Sequence, residues 1–230
     1  MSLLIDDSTR APLRRFAAAV VLASAGLGSL IASDARAQSQ SRDCLPPGNP
    51  YVGQFHAKYA DGTNVYDLSN PRHSDFTHCD PPPGPGGSTT HTVGSFVSAQ
   101  ISLNGGPAQA FNANGNMTVR VNFNHLTGPT RFFDTEMLQL DLTGGGGQMI
   151  RESPTRQSTG KTAITDLGGG LFHIDSFFDV FTELSVDGGQ TWHPSTDAAG
   201  NPYAGRMMIP GTVAVELAPW TNVKRLYQEP

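Results

Sequence analysis

The residues Met117-Thr118-Val119-Arg120-Val121-Asn122-Phe123 alternate apolar and polar side chains without a break. A period of two is the mark of a strand with one buried face. It leaves little room for a helix, whose apolar stripe returns every 3.6 residues. Leu138-Gln139-Leu140-Asp141-Leu142 and Thr212-Val213-Ala214-Val215-Glu216-Leu217 read the same way. Further strands are expected over 93–103, 148–152, 162–166 and 171–186. Turn signals separate them: Asn104-Gly105-Gly106-Pro107, Gly144 to Gly147, Gly168 to Gly170 and Asp187-Gly188-Gly189. The pattern predicts an all-β chain, an antiparallel β-sandwich of about eight to ten strands. No long internal repeat argues for a solenoid or propeller.

The chain opens with an export signal. Arg10, Arg14 and Arg15 precede an apolar run from Phe16 to Ala32, and Ala35-Arg36-Ala37 supplies an A-x-A cleavage site. Cleavage after Ala37 makes the product secreted or periplasmic. Arg14-Arg15-Phe16 also carries the core of a twin-arginine signal, but its flanks fit that pattern poorly. The whole chain is net −5 and the leader is net basic, so the exported part is more acidic still. That charge argues against nucleic acid as a partner. No second apolar run reaches the roughly 18 to 20 residues of a membrane span.

Three segments are expected: a signal peptide over 1–37, an irregular N-terminal lobe with a Pro/Gly-rich linker over 38–90, and the β-sandwich over 91–230. Within the lobe, Tyr51 to Cys79 holds aromatics and histidines but few apolar repeats. Asp80-Pro81-Pro82-Pro83-Gly84-Pro85-Gly86-Gly87 admits neither helix nor central strand. An oxidising compartment and an even cysteine count predict a disulfide between Cys44 and Cys79. It would close a loop of about 35 residues and contribute ~3 to 4 kcal/mol.

Ser185-Val186-Asp187-Gly188-Gly189-Gln190-Thr191-Trp192 matches S-x-D-x-G-x-T-W at every fixed position. It resembles the Asp-box of sialidases and other glycan-active or adhesive β proteins. The resemblance implies a structural hairpin: Ser185 and Thr191 where the strands pair, Asp187 on the turn's amides, Gly189 at positive φ and Trp192 packed beneath. In those families the element lies away from catalysis. There is one copy here, with no arginine triad and no nucleophilic tyrosine pattern. The preceding Ile174–Leu184 stretch is similar to segments of uncharacterised secreted bacterial proteins, which implies no activity.

Residues 171–186 have one apolar face (Phe172, Ile174, Phe178, Val180, Leu184, Val186). The other face interleaves Asp175, Phe177, Asp179, Phe181 and Glu183. Rings for stacking and carboxylates for hydroxyls or Ca²⁺ would suit a sugar or cation. A surface whose acids pair with arginines is the commoner use of such a face. Asp175 and Asp179 would stand ~13 Å apart in an extended strand, too far for a glycosidase pair. Such a pair would need Glu136 or Glu152 from another strand.

His56, His73, His78 and His91, with Asp75 and Asp80, lack a recognised metal-ligand spacing. Asp61-Gly62-Thr63-Asn64-Val65-Tyr66-Asp67 offers turn oxygens without the full EF-hand pattern. No cofactor is therefore expected, Ca²⁺ being the one ion these oxygens would admit. There is no G-x-S-x-G, no Walker A and no dinucleotide fingerprint. The expected function is an exported, non-catalytic binding or assembly protein, with glycan, matrix or another copy of itself as partner. A glycan-active hydrolase using the 171–186 carboxylates and a metal-binding exported protein are the alternatives.

Overall fold

The structure, a computed structural model, describes residues 39–40 and 42–210. The expected leader, its cut after Ala37 and the strand expected over 212–217 lie outside the described residues. Twelve strands form one sheet. They are β1 (Ser39–Gln40), β2 (Tyr51–Val52), β3 (His56–Ala60), β4 (Val65–Ser74), β5 (Ser88–Leu103), β6 (Gln109–Thr127), β7 (Thr130–Gly144), β8 (Met149–Glu152), β9 (Ser158–Gly168), β10 (Leu171–Ser185), β11 (His193–Pro194) and β12 (Ala204–Met208). All pairings are antiparallel.

Eight of these strands close a ring, in the spatial order β2, β4, β5, β6, β7, β9, β10, β12 and back to β2. The expected sandwich is thus corrected to a closed eight-stranded antiparallel barrel. Period-two alternation says that one face is buried, but not what buries it. Two stacked sheets and one sheet rolled on itself leave the same trace. Strand length and register favour closure here. β5, β6, β7 and β10 run for 16, 19, 15 and 15 residues. Register shifts at Thr118/Val119, Phe123/His125 and Leu171/Phe172 add the twist that bends long strands around. Between β7 and β10 the wall is split: β9 pairs with one half of each and β8 with the other half.

The N-terminal region is not an irregular lobe. β2 and β4 belong to the barrel wall, and β3 pairs onto the outer end of β4. A bulge conceals β4 in the sequence. Asn70 sits at φ 50 beside Pro71, and the pairing with β5 shifts register between Ser69 and Arg72. Two longer irregular stretches remain, the Pro/Gly-rich one over 75–87 and a strap over 42–50. The Cys44–Cys79 disulfide ties it down. Leu45 and Asp80 exchange backbone hydrogen bonds of 2.8 and 2.9 Å, and Arg131 Nη2 donates to Asp43 Oδ1 at 2.6 Å.

Inward side chains from every wall strand meet in one core, with Phe111, Phe133, Leu142, Ile164 and Leu184 among the most deeply buried. The outer face is polar and ion-paired, as at Arg120–Glu136 and Lys161–Asp134. Two glycines allow close approaches. A Cβ at Gly160 would stand 2.1 Å from the Phe177 carbonyl oxygen, and one at Gly205 would stand 2.2 Å from the Phe55 ring.

Candidate functional site: the barrel interior

The outer face of β10 carries the residues singled out in the sequence, and arginines cover it. Arg206 donates to both carboxylate oxygens of Asp179 at 2.8 Å, and its guanidinium lies 4.6 Å from the Phe177 ring centre. Arg156 lies over Phe181 at 5.6 Å. Arg151 donates twice to Glu183, at 3.0 and 2.6 Å, and stacks on Trp192 at 4.1 Å. His173 Nε2 stands 3.2 Å from Asp175. Of the two carboxylates considered as outside partners, Glu136 pairs with Arg120 and Glu152 accepts from Ser158 at 3.1 Å. Partial burial pushes the Glu152 carboxyl up, and the charges of Glu136 and Glu183 add to the effect. None of these residues lines a cavity described below.

The Ser185–Trp192 segment is a self-contained turn between β10 and β11. Asp187 Oδ1 accepts from the backbone amides of Gln190 and Thr191 at 3.0 and 2.9 Å, and Oδ2 accepts from the Thr191 hydroxyl at 2.6 Å. These donors hold the Asp187 carboxyl well below the usual carboxylate range. Gly188 and Gly189 take φ of 74 and 87, and Trp192 Nε1 donates to the Gly189 carbonyl at 3.0 Å. Every contact of Asp187 serves the turn itself.

The four N-terminal histidines are dispersed. His56 pairs with Asp67 at 2.8 Å and His78 lies 3.6 Å from Asp80. His91 is hydrogen-bonded to Thr89 and to the Leu45 carbonyl. Asp75 accepts from Ser74, and Asp61 accepts from the amides of Thr63 and Asn64 within its own turn. Among the described residues no group of three or more His, Cys, Asp or Glu converges on a point.

His73 is different. It points into the barrel, is 6% exposed, and its Nε2 has no hydrogen-bond partner. Burial lowers its pKa from 6.5 to about 4, so the imidazole is neutral at pH 7. It stands between two interior cavities, and Met207 borders both with it. One cavity, about 30 Å³, lies beneath the strap and is lined by Leu45, Pro46, Tyr51, His91, Thr135 and Thr162 among others. The other, about 60 Å³, is lined by Phe55, Tyr59, Leu68, Leu142, Val180 and Thr182 among others.

A short polar track crosses this apolar interior. Tyr51 donates to Ser176 Oγ at 2.9 Å, and Ser176 and Thr162 share a hydrogen bond of 2.8 Å. The Thr135 hydroxyl is buried and has no partner. In the second cavity Tyr59 and Thr182 are joined at 2.7 Å. Burial raises both phenols, Tyr59 to about 12, so neither supplies a phenolate base. The interior thus presents a neutral imidazole at His73 and un-ionised hydroxyls among apolar side chains.

Of the residues lining these cavities, sequence reasoning had singled out His73 and His91, and as metal candidates. The available signal was parity. Ser176 interrupts the apolar inward series of β10 between Ile174 and Phe178, and Thr135 does so between Phe133 and Met137 on β7.

Compared with known proteins, the chain matches no family model, no curated protein and no solved structure.

Proposed function

We propose that this chain is an exported, non-catalytic binding protein whose ligand seat is the barrel interior. One observation carries the reading: His73 Nε2 and the Thr135 hydroxyl are both buried, unpaired and in the wall of the same apolar cavity. A buried polar group without a partner costs ~1 to 3 kcal/mol, a cost that a bound molecule's polar group would remove. Eight strands enclose an interior that side chains fill or that holds one small ligand. The apolar-inside, polar-outside wall is the inverse of a membrane-spanning barrel. It suits a water-soluble carrier, and the export signal read in the sequence and the Cys44–Cys79 disulfide support a carrier working outside the cytoplasm.

Titration of small apolar compounds into the disulfide-intact protein, followed by backbone amide NMR, tests this. Saturable one-to-one shifts at interior-facing strands support the reading. Shifts produced only by oligosaccharides, and confined to the Arg151, Arg156 and Arg206 face, overturn it. Glycan hydrolysis is the second reading, favoured only by the raised carboxyl of Glu152 beside Glu136 and Glu183. Loss of oligosaccharide cleavage in Glu152→Gln would be its signature.

A further inference from the structure

We infer that the ligand is a small uncharged molecule of about six non-hydrogen atoms, whose one hydroxyl or carbonyl bonds to His73 Nε2 and the Thr135 hydroxyl. This rests on the reading of the barrel interior as the ligand seat, and it names the chemistry that seat selects.

Charge is settled by the lining. Neither cavity is bordered by a single Lys, Arg, Asp or Glu. A carboxylate or ammonium brought inside would lose its hydration and meet no opposite charge, so ions are rejected. The neutral form of His73 adds no cation to attract an anion, and His91, the other imidazole of that lining, is already bonded to Thr89 and to the Leu45 carbonyl. Polarity is settled by the unpaired atoms. Along the Tyr51, Ser176 and Thr162 track the side-chain hydroxyls are already bonded to one another. His73 Nε2 and Thr135 Oγ1 are what remains in that cavity to be satisfied. A hydroxyl can donate to one and accept from the other. A purely apolar guest leaves both unsatisfied.

Size follows from the space. The cavities of about 30 and 60 Å³ hold roughly two and four waters, hence about six non-hydrogen atoms together. Met207 lies at their junction, and its unbranched chain can shift to join them. A fatty acyl chain exceeds this volume and brings a charge as well.

Three small probes separate the terms: cyclopentane, cyclopentanol and isobutyrate. Each is titrated into the folded, disulfide-intact protein, into Thr135→Val and into His73→Phe, with interior amide shifts as the readout. The expected result is cyclopentanol bound roughly 10-fold more tightly than cyclopentane, with isobutyrate unbound. Thr135→Val, which keeps shape and loses the hydroxyl, should erase most of that preference. It is the safe variant if His73→Phe fails to fold. Equal affinity for cyclopentane and cyclopentanol in every protein would overturn the polar contact, while the barrel seat itself would stand. Isobutyrate bound as tightly as cyclopentanol would overturn the selection for uncharged guests. Interior amides that move with none of the three would overturn the barrel seat itself.

Discussion

Tyr51 and His73 are direct cross-strand partners on β2 and β4, both aimed into the barrel, yet only one of them is satisfied. The phenol donates to Ser176 at 2.9 Å, whereas His73 Nε2 bonds to nothing. That unpaired nitrogen is the group the proposed ligand would satisfy.

Removing an unsatisfied hydroxyl should stabilise the fold. Thr135→Val keeps the shape and discards a buried donor without a partner. The expected gain is ~1 kcal/mol, read as a higher urea midpoint at unchanged slope. Ser176→Ala is expected to do the opposite and cost ~1 to 3 kcal/mol, because it strands the Tyr51 hydroxyl and Thr162 together. A loss of stability in Thr135→Val would mean the hydroxyl has a role in the empty fold.

His73 sets a pH dependence with a definite sign. Its folded pKa, about 4, lies below its ordinary 6.5, so the unfolded chain takes up a proton that the folded chain refuses. The contribution is fully present above pH 6.5, declines as pH falls to about 4, and is level below that. The loss across the window is ~3 kcal/mol. Tyr51, which faces it, is pushed upward and stays neutral throughout. Urea midpoints from pH 7 to pH 4 should fall more steeply for the unaltered protein than for His73→Phe. Parallel curves would show that the imidazole is not buried.

The strap depends on its disulfide. Replacing Cys44 and Cys79 by serine opens a loop of sequence separation 35 and should cost ~3 to 4 kcal/mol. Leu45 and Pro46 line the cavity beneath the strap, so the same variant should exchange cyclopentanol faster. Denaturation with and without reductant, beside line widths in the bound state, checks both.

The arginine-covered face should prove quiet. Asp179→Asn breaks a half-exposed bidentate pair with Arg206, worth under about 1 kcal/mol. Its effect on small-molecule binding should be nil. A clear loss of binding in that variant would move the site from the interior to the outer face.

Much of the wall could be read in the chain. The alternation over 117–123 and 138–142 falls within β6 and β7, and the apolar face read over 171–186 does face the interior of the barrel. Closure could not be read, because it depends on short β2 and β12 and on bulged β4, where Asn70 and Pro71 interrupt the period. The site was hidden for a related reason. Ser176, Thr135 and Thr162 look like ordinary strand residues until the barrel gathers them from three strands. The face of Asp175, Asp179 and Glu183 drew attention because aromatics beside acids suggest sugars. Its arginine partners come from Arg151, Arg156 and Arg206, far away in sequence, and no local pattern reveals them.

The most direct test uses methyl NMR of protein labelled at its methionines, titrated with cyclopentanol. Met207 sits where the two cavities meet, and Met117 lines the one beneath the strap, while Met208 pairs with Val52 and Met149 lines neither cavity. Saturable shifts at Met207 and Met117, with Met208 and Met149 unmoved, are the predicted result. Shifts at Met208 or Met149 while Met207 stays fixed would contradict a ligand seat inside the barrel.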